Sequence, residues 1–338
     1  MNALANSSVI NRGARSTTRV CELCRASARS AKRRCSGKPL AKIECRLGTS
    51  KLEEMIRILT LFWAVASLLA AEPPVAKAPP PYESFLIEAK DAERKLLLGK
   101  ALEALDKARE LDPKRPESYY FAGQILVKQR KGEDAIAAFT KVIDIDPKAS
   151  TAYQKRGEEL FKLGKIDECL ADFNRYIQLE PQQEPYHWQR GIAFYYAKKY
   201  AEGRRQFELH QTVNPNDVEN GVWHFLCVAK ADSFEKARAA LLPISGDRRV
   251  PMMEVYRLFA GKATVEDVAK AVKQGEPSEA ELENREFYYH FYVGLYYEAK
   301  GDQALAYEHI KKAATGYSAE HYMGDVARVH FRQLVSAK

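Results

Sequence analysis

PESYYFAGQILVKQRKGEDAIAAFTKVIDIDPKA, residues 116–149, is the stretch that decides the fold. It holds two apolar segments of helical period, separated around Gly132 and closed by Pro147. The same columns return every 34 residues: Pro113, Pro147, Pro181 and Pro215; Gly123, Gly157 and Gly191; Phe139, Phe173 and Phe207. Tyr119 and Tyr153 keep the step, and His187-Trp188 takes that place in the next unit. A fixed period of this length is the mark of a stacked repeat, each unit a helix A, a turn and a helix B. The glycines belong where helix A crosses helix B closely, and the phenylalanines are expected to fill the gap between neighbouring units. Ala135, Cys169 and Gly203 occupy the small site on helix B. Each proline ends a helix B, because it lacks an N–H and clashes with the preceding turn. Gly132 and Gly164 are expected at the turns between the helices.

Tyr119, Gly123, Ala135, Phe139 and Pro147 stand at signature places of the tetratricopeptide repeat, which this segment resembles. The resemblance implies an all-α helical solenoid. Units at 116–149, 150–183 and 184–217 follow the pattern. A weaker unit at 82–115 has Ala89 in place of the crossing glycine, so tetratricopeptide repeats are expected over 82–217. Divergent helical hairpins follow over 218–286: Trp223–Ala229 with Phe234–Leu242, then Val255–Phe259 with Val265–Val272, where Thr264 is a natural N-cap. Pro277-Ser278 breaks the pattern. A C-terminal repeat returns with Gly294, Gly301 and Ala306, and a helix Tyr322–Val335 closes the stack within 287–338. No segment alternates with period 2 long enough for a sheet.

The net charge is +8, yet residues 1–54 carry 12 Lys/Arg against 4 Asp/Glu and the rest carries 41 of each. The repeats therefore have no net field to draw a polyanion, and nucleic acid is not an expected partner. Cys21, Cys24, Cys35 and Cys45 also lie in 1–54. They could offer zinc four thiolates, although no second Cys-x-x-Cys is present; the alternative is a leader absent from the mature protein. From Met55 the chain reads MIRILTLFWAVASLLAA, a positive residue, an apolar run and small residues in the order of a secretory signal over 55–71. Ile58–Ala71 falls short of the about 20 apolar residues of a membrane span, so retention of residues 56–71 as an inner-membrane anchor is the weaker alternative. Translation is expected to start at Met55, which makes 1–54 a non-native or disordered leader. A linker over 72–81 holds five prolines. Export to the periplasm or cell envelope follows from this reading. Cys169 and Cys227, the only cysteines left, are too few for a disulfide framework.

The layout resembles the bacterial NlpI-type lipoproteins. The similarity rests on Asp217–Ala229, on Val255-Tyr-Arg-Leu-Phe-Ala-Gly261 with Ala263-Thr-Val-Glu266, and on Phe291–Asp302. The lipid-bearing cysteine of that family has no counterpart after the apolar run. The resemblance implies an envelope scaffold, with an envelope protease or a peptidoglycan hydrolase as partner. A structural subunit of an envelope assembly is the alternative.

No catalytic constellation is legible: there is no phosphate loop, no HExxH and no GxSxG. None of the seven histidines pairs at i, i+4, so neither a metal nor a cofactor is expected. Glu158, Glu159 and Glu202 read as a solvated helix face. What remains is a groove for an extended protein or peptide segment. By the family's pattern, helix A would line its concave wall with Tyr120, Gln124 and Lys128, then Gln154, Glu158 and Lys162, then Trp188, Tyr195 and Tyr196. Two lysines one repeat apart and an aromatic floor at the far end would suit a peptide.

Overall fold

Proline sets the rhythm of the helices. The residue before a proline is pushed out of the helical region. Asp112, Asp146 and Glu180 accordingly sit at φ −148°, −129° and −129° with positive ψ, each closing a helix B. The computed structural model describes residues 80–336. The leader, the signal segment, the four early cysteines and all but the end of the 72–81 linker lie outside them. Four antiparallel pairs come first: α1 (Pro81–Arg94) with α2 (Leu98–Leu111), α3 (Pro116–Lys128) with α4 (Gly132–Ile145), α5 (Ser150–Lys162) with α6 (Ile166–Leu179), and α7 (Trp188–Tyr196) with α8 (Tyr200–Gln211). No strand occurs among the described residues, and no helix there is long and apolar enough to cross a membrane.

The glycine columns are crossings. A Cβ built on Gly123, Gly157 or Gly191 would come within 2.6, 2.6 or 2.7 Å of Phe139, Phe173 or Phe207. Each ring therefore lies on the glycine of its own unit, which amends the expectation that it fills the space between units. Phe173 also reaches the next unit, where His187 meets it edge-on at 4.6 Å.

Of the two glycines expected at the turns, Gly164 is there and Gly132 is not. Gly132 opens helix α4 and is not the turn residue. The left-handed position is two residues earlier and keeps its own period: Leu96, Arg130, Gly164 and Lys198 have φ of 58°, 57°, 78° and 60°. Only one of the four is glycine, so composition alone hides this column. In the fourth unit helix A is short. Pro181 and Pro185 hold a 3-10 turn over Pro181–Tyr186, and His187 starts α7 by accepting the Arg190 N–H at 3.2 Å.

The second half continues with α9 (Val218–Ala231), α10 (Phe234–Ala239), α11 (Met252–Phe259), α12 (Val265–Val272), α13 (Glu279–Lys300), α14 (Gln303–Thr315) and α15 (Tyr322–Ser336). Thr264 caps α12 in a reciprocal capping box with Asp267, as its position suggests. Ser278 caps α13, whose 22 residues run unbroken through the expected boundary at 286/287. Between α10 and α11 the chain is held by Arg249, which meets Asp217 and Asp247 at 2.6 Å and Glu219 at 2.9 Å. One core cluster extends from Leu160 to Val329 around the fully buried Trp223, and a smaller one ties α1 and α2 to α3.

Helix α15 does more than close the end of the stack. It packs on α14 and also turns back onto α5 of the third unit. Tyr322 stacks on Phe161 at 5.6 Å and meets Trp188 edge-on at 5.1 Å. Arg332 donates to the Lys162 carbonyl at the end of α5.

Candidate functional site

Helix A of each unit faces inward, and α15 divides that inner face into a filled half and an open half. In the filled half, Tyr195 and Tyr196 are 5% and 7% exposed and so form no open groove floor. Tyr195 packs on Trp223 at 5.4 Å. Tyr196 places its hydroxyl 3.0 Å from His330 Nδ1 of α15. Trp188 is half-buried under Tyr322. Lys162 lies between the buried Glu159 at 2.5 Å and Asp325 of α15 at 3.9 Å. Burial raises the Glu159 carboxyl against the pull of Lys162. Glu159 is thus part of the packed interior and not a solvated face. Of the three aromatic residues expected as a peptide floor, Trp188 and Tyr196 seat the chain's own last helix and Tyr195 is buried against Trp223 of α9.

That seat is locked by a buried polar cluster. His330 Nε2 stands 2.7 Å from Glu298 Oε2, and Lys230 Nζ donates to Glu298 Oε1 at 2.7 Å. Burial alone would raise the Glu298 carboxyl, but His330 and Lys230 hold it down to about 2. One side chain of α13 thereby binds α9 and α15 together.

The open half lies over the first units. Leu86, Ile87 and Lys90 of α1, Tyr120, Phe121 and Gln124 of α3, and Thr151 of α5 surround a largely apolar concavity of about 880 Å³. Such a volume falls within the about 300–1,000 Å³ usual for ligand pockets. Tyr120 is fixed edge-on against Phe139 at 5.7 Å, so its ring is pre-set. Lys128 is 57% exposed and pairs with Glu93 at 2.6 Å, a surface contact worth at most about 1 kcal/mol. Gln154 donates to Glu158 at 2.9 Å, and Lys155 holds the same carboxylate at 2.9 Å. Of the expected groove residues, Tyr120 and Gln124 line one open space, Lys128 pairs with Glu93, Gln154 and Glu158 pair with each other on α5, Lys162, Trp188 and Tyr196 lie under or against α15, and Tyr195 packs on Trp223 of α9.

Two features escaped the reading of the sequence. Leu86 and Ile87 of the weak first unit are the apolar wall opposite Tyr120. A second polar column binds the units: Arg156 grips Asp172 at 2.7 Å and Thr140 at 3.0 Å, while Arg190, 34 residues on, grips Asn174 at 2.8 Å and Gln206 at 3.0 Å. Each arginine touches the helix B of its own unit and of the one before. The signal was present, since all three positions keep the 34-residue step, but the residue types change from one unit to the next.

Among the described residues no three His, Cys, Asp or Glu side chains gather as a metal would require. The two described cysteines, Cys169 and Cys227, are free and buried, and burial pushes both thiols up, away from reactivity. His290 and His309, on different helices in sequence, come together with Nδ1 atoms 3.1 Å apart. Burial lowers both imidazoles, so they pair as neutral rings.

With repeats, crossings and inner face described, the class is plain: this is a tetratricopeptide-repeat solenoid. The family model of the tetratricopeptide repeat matches residues 116–149 and 150–183. Among solved structures, the chain is similar to a tetratricopeptide repeat protein from Parabacteroides merdae ATCC 43184, at 19% identity and TM-score 0.50, over 75% of this chain and 99% of that one. YrrB, described as a TPR protein with an unusual peptide-binding site, is similar at 17% identity and TM-score 0.37, over 69% and 99%. Pseudomonas aeruginosa pilF is similar at 13% identity and TM-score 0.39, over 76% and 98%. No curated protein sequence matches the chain.

Proposed function

We propose that this chain is an exported protein-binding scaffold of the bacterial cell envelope, and that it holds its partner in the open half of the concave face. The observation that carries the reading is the concavity of about 880 Å³ between α1 and α3, apolar, solvent-open and walled by the fixed Tyr120 ring. Its lining is largely apolar, which suits holding a protein segment. The signal-like segment after Met55 supports export. The resemblance to NlpI-type lipoproteins supports an envelope protease or a peptidoglycan hydrolase as partner.

A photo-crosslinking amino acid at position 120, compared with one at the exposed Lys141 of α4, tests the binding surface. Covalent capture of one protein species from position 120 alone is the expected result. Equal capture from both positions, or from position 141 alone, would move the site to another face. Sequencing the N-terminus of the mature protein tests export: a start near Glu72 is expected, and retained residues from 1–54 would overturn it.

A further inference from the structure

The first unit breaks the repeat register at the turn between its two helices. In the later units the two turn places read Arg130-Lys131, Gly164-Lys165 and Lys198-Lys199; in the first they read Leu96-Leu97. Leu96 is 82% exposed, more than any other large apolar side chain among the described residues, and Leu97 beside it is 44% exposed. The pair is held out rigidly. The Leu96 N–H donates to the Glu93 carbonyl at 2.8 Å and the Leu97 N–H to the Ala92 carbonyl at 2.9 Å, which closes α1 and fixes Leu96 in the left-handed region. Glycine takes that place in the third unit at no steric cost, so a leucine left in water there does not serve the fold.

The charge beside this tip has one sign. Arg94-Lys95-Leu-Leu-Leu-Gly-Lys100 holds three cations and no carboxylate. Asp91 of α1 reaches Arg94 at 3.0 Å and Lys95 at 2.6 Å, which offsets one of them. Lys100 is exposed and outside the ion pairs of the described residues. The first turn of α2 has no acidic residue, unlike those of α4, α6 and α8. Lys128 of α3 meets Glu93 of α1 at 2.6 Å, so the first two turns stand side by side. That neighbour adds Lys131, which is also exposed and unpaired among the described residues.

An apolar tip collared by cations suits the surface of an anionic bilayer. Leucine enters the boundary between headgroups and acyl chains, while Lys and Arg reach the phosphates. A protein partner would need about 800 Å² of this surface, but its apolar part ends at the polar Arg130-Lys131 turn. We propose that the α1–α2 turn is a membrane-interface tip: Leu96 and Leu97 enter the boundary layer of an anionic phospholipid bilayer, and Arg94, Lys95, Lys100 and Lys131 lie on its phosphate groups. The tip belongs to the turn edge of the solenoid and does not depend on what the concave face holds.

The test places an environment-sensitive fluorescent amino acid at position 96 of the full chain and, in a second protein, at Leu111, which is exposed at the far end of α2. Vesicles of phosphatidylglycerol with phosphatidylethanolamine are compared with vesicles of phosphatidylcholine. The apolar run 58–71 offers the chain another way onto a vesicle, so the surroundings of the probe are read and not co-sedimentation. A blue shift at position 96 on anionic vesicles, quenched by nitroxide lipids, is expected, with position 111 unchanged. Lys100→Glu with Lys131→Glu should raise the lipid concentration at half-maximal shift at least about tenfold, and salt at about 0.5 M should do the same. Far-UV circular dichroism checks that the variant keeps its helices. No shift on anionic vesicles overturns the proposal. So does an equal shift on neutral vesicles or at position 111, and so does a probe already shifted before lipid is added, because the chain itself would then cover the leucines. A photo-crosslinker at position 96 that captures one protein, while vesicles leave the fluorescent probe unshifted, would give the tip to a protein partner instead.

Discussion

Gly157 shows how much one absent side chain carries. Its place against Phe173, with only 2.6 Å left for a Cβ, means that Gly157→Ala must displace a buried ring. Overpacking of this kind costs about 1–3 kcal/mol, so the urea midpoint should fall, and Gly157→Leu should unfold the third unit. An unchanged midpoint for the alanine variant would show that the ring yields freely. Leu96 is the opposite case. It is 82% exposed and held at φ 58°, a conformation that costs a side-chain-bearing residue about 1–2 kcal/mol. Leu96→Gly loses no buried contact, and after the glycine's own entropy cost a gain of about 0.5 kcal/mol is expected, read as a higher urea midpoint. The glycine columns were legible in the sequence because a crossing covered by a phenylalanine ring leaves no room for a Cβ. The turn column was not, because leucine, arginine and lysine each tolerate it at a cost.

Among the elements, α15 depends on charge as well as packing. Glu298 is held at about 2 against its ordinary 4.5 by His330 and Lys230, although burial opposes them. A depressed carboxyl contributes stability that is complete above 4.5 and disappears as pH falls toward 2. The contribution is on the order of 3 kcal/mol, and Glu298→Gln should flatten that part of the stability–pH curve. Urea unfolding of parent and variant at pH 5 and pH 3 measures it; parallel losses in both would place the acid sensitivity elsewhere. The helix itself was legible from its apolar spacing, whereas its destination was not. Tyr322 meets Phe161 across 161 residues of chain, and no local period records such a contact. A trace existed nonetheless: at the rung occupied by Arg94, Lys128 and Lys162, the fourth unit has Tyr196, a residue suited to a covered surface.

At the scale of the whole molecule, Trp188 separates support from recognition. Because it lies half-buried under Tyr322, Trp188→Ala should cost about 2 kcal/mol of stability, below the about 3–5 of a fully buried tryptophan. Its effect on the partner should be small beside that of Tyr120→Ala. Thermal melting and binding of both variants to one partner decide this; a large binding loss at Trp188 with unchanged melting would return the groove to the third and fourth units. The four N-terminal pairs were readable from their periodicity. The filled half of the inner face was not, since the family's pattern assigns helix A to a free wall whatever follows later in the chain. A solenoid whose units touch only their neighbours behaves as a spring, stretching and twisting by small increments at every joint. Helix α15, fixed at one end to α14 and resting on α5, is a strut across the coil. The units it spans should move as one rigid block under load, leaving compliance to the first two pairs, where the open face lies. Pulled from its ends, the molecule should lengthen first at α1 to α4 and yield in the braced part only when the strut lets go.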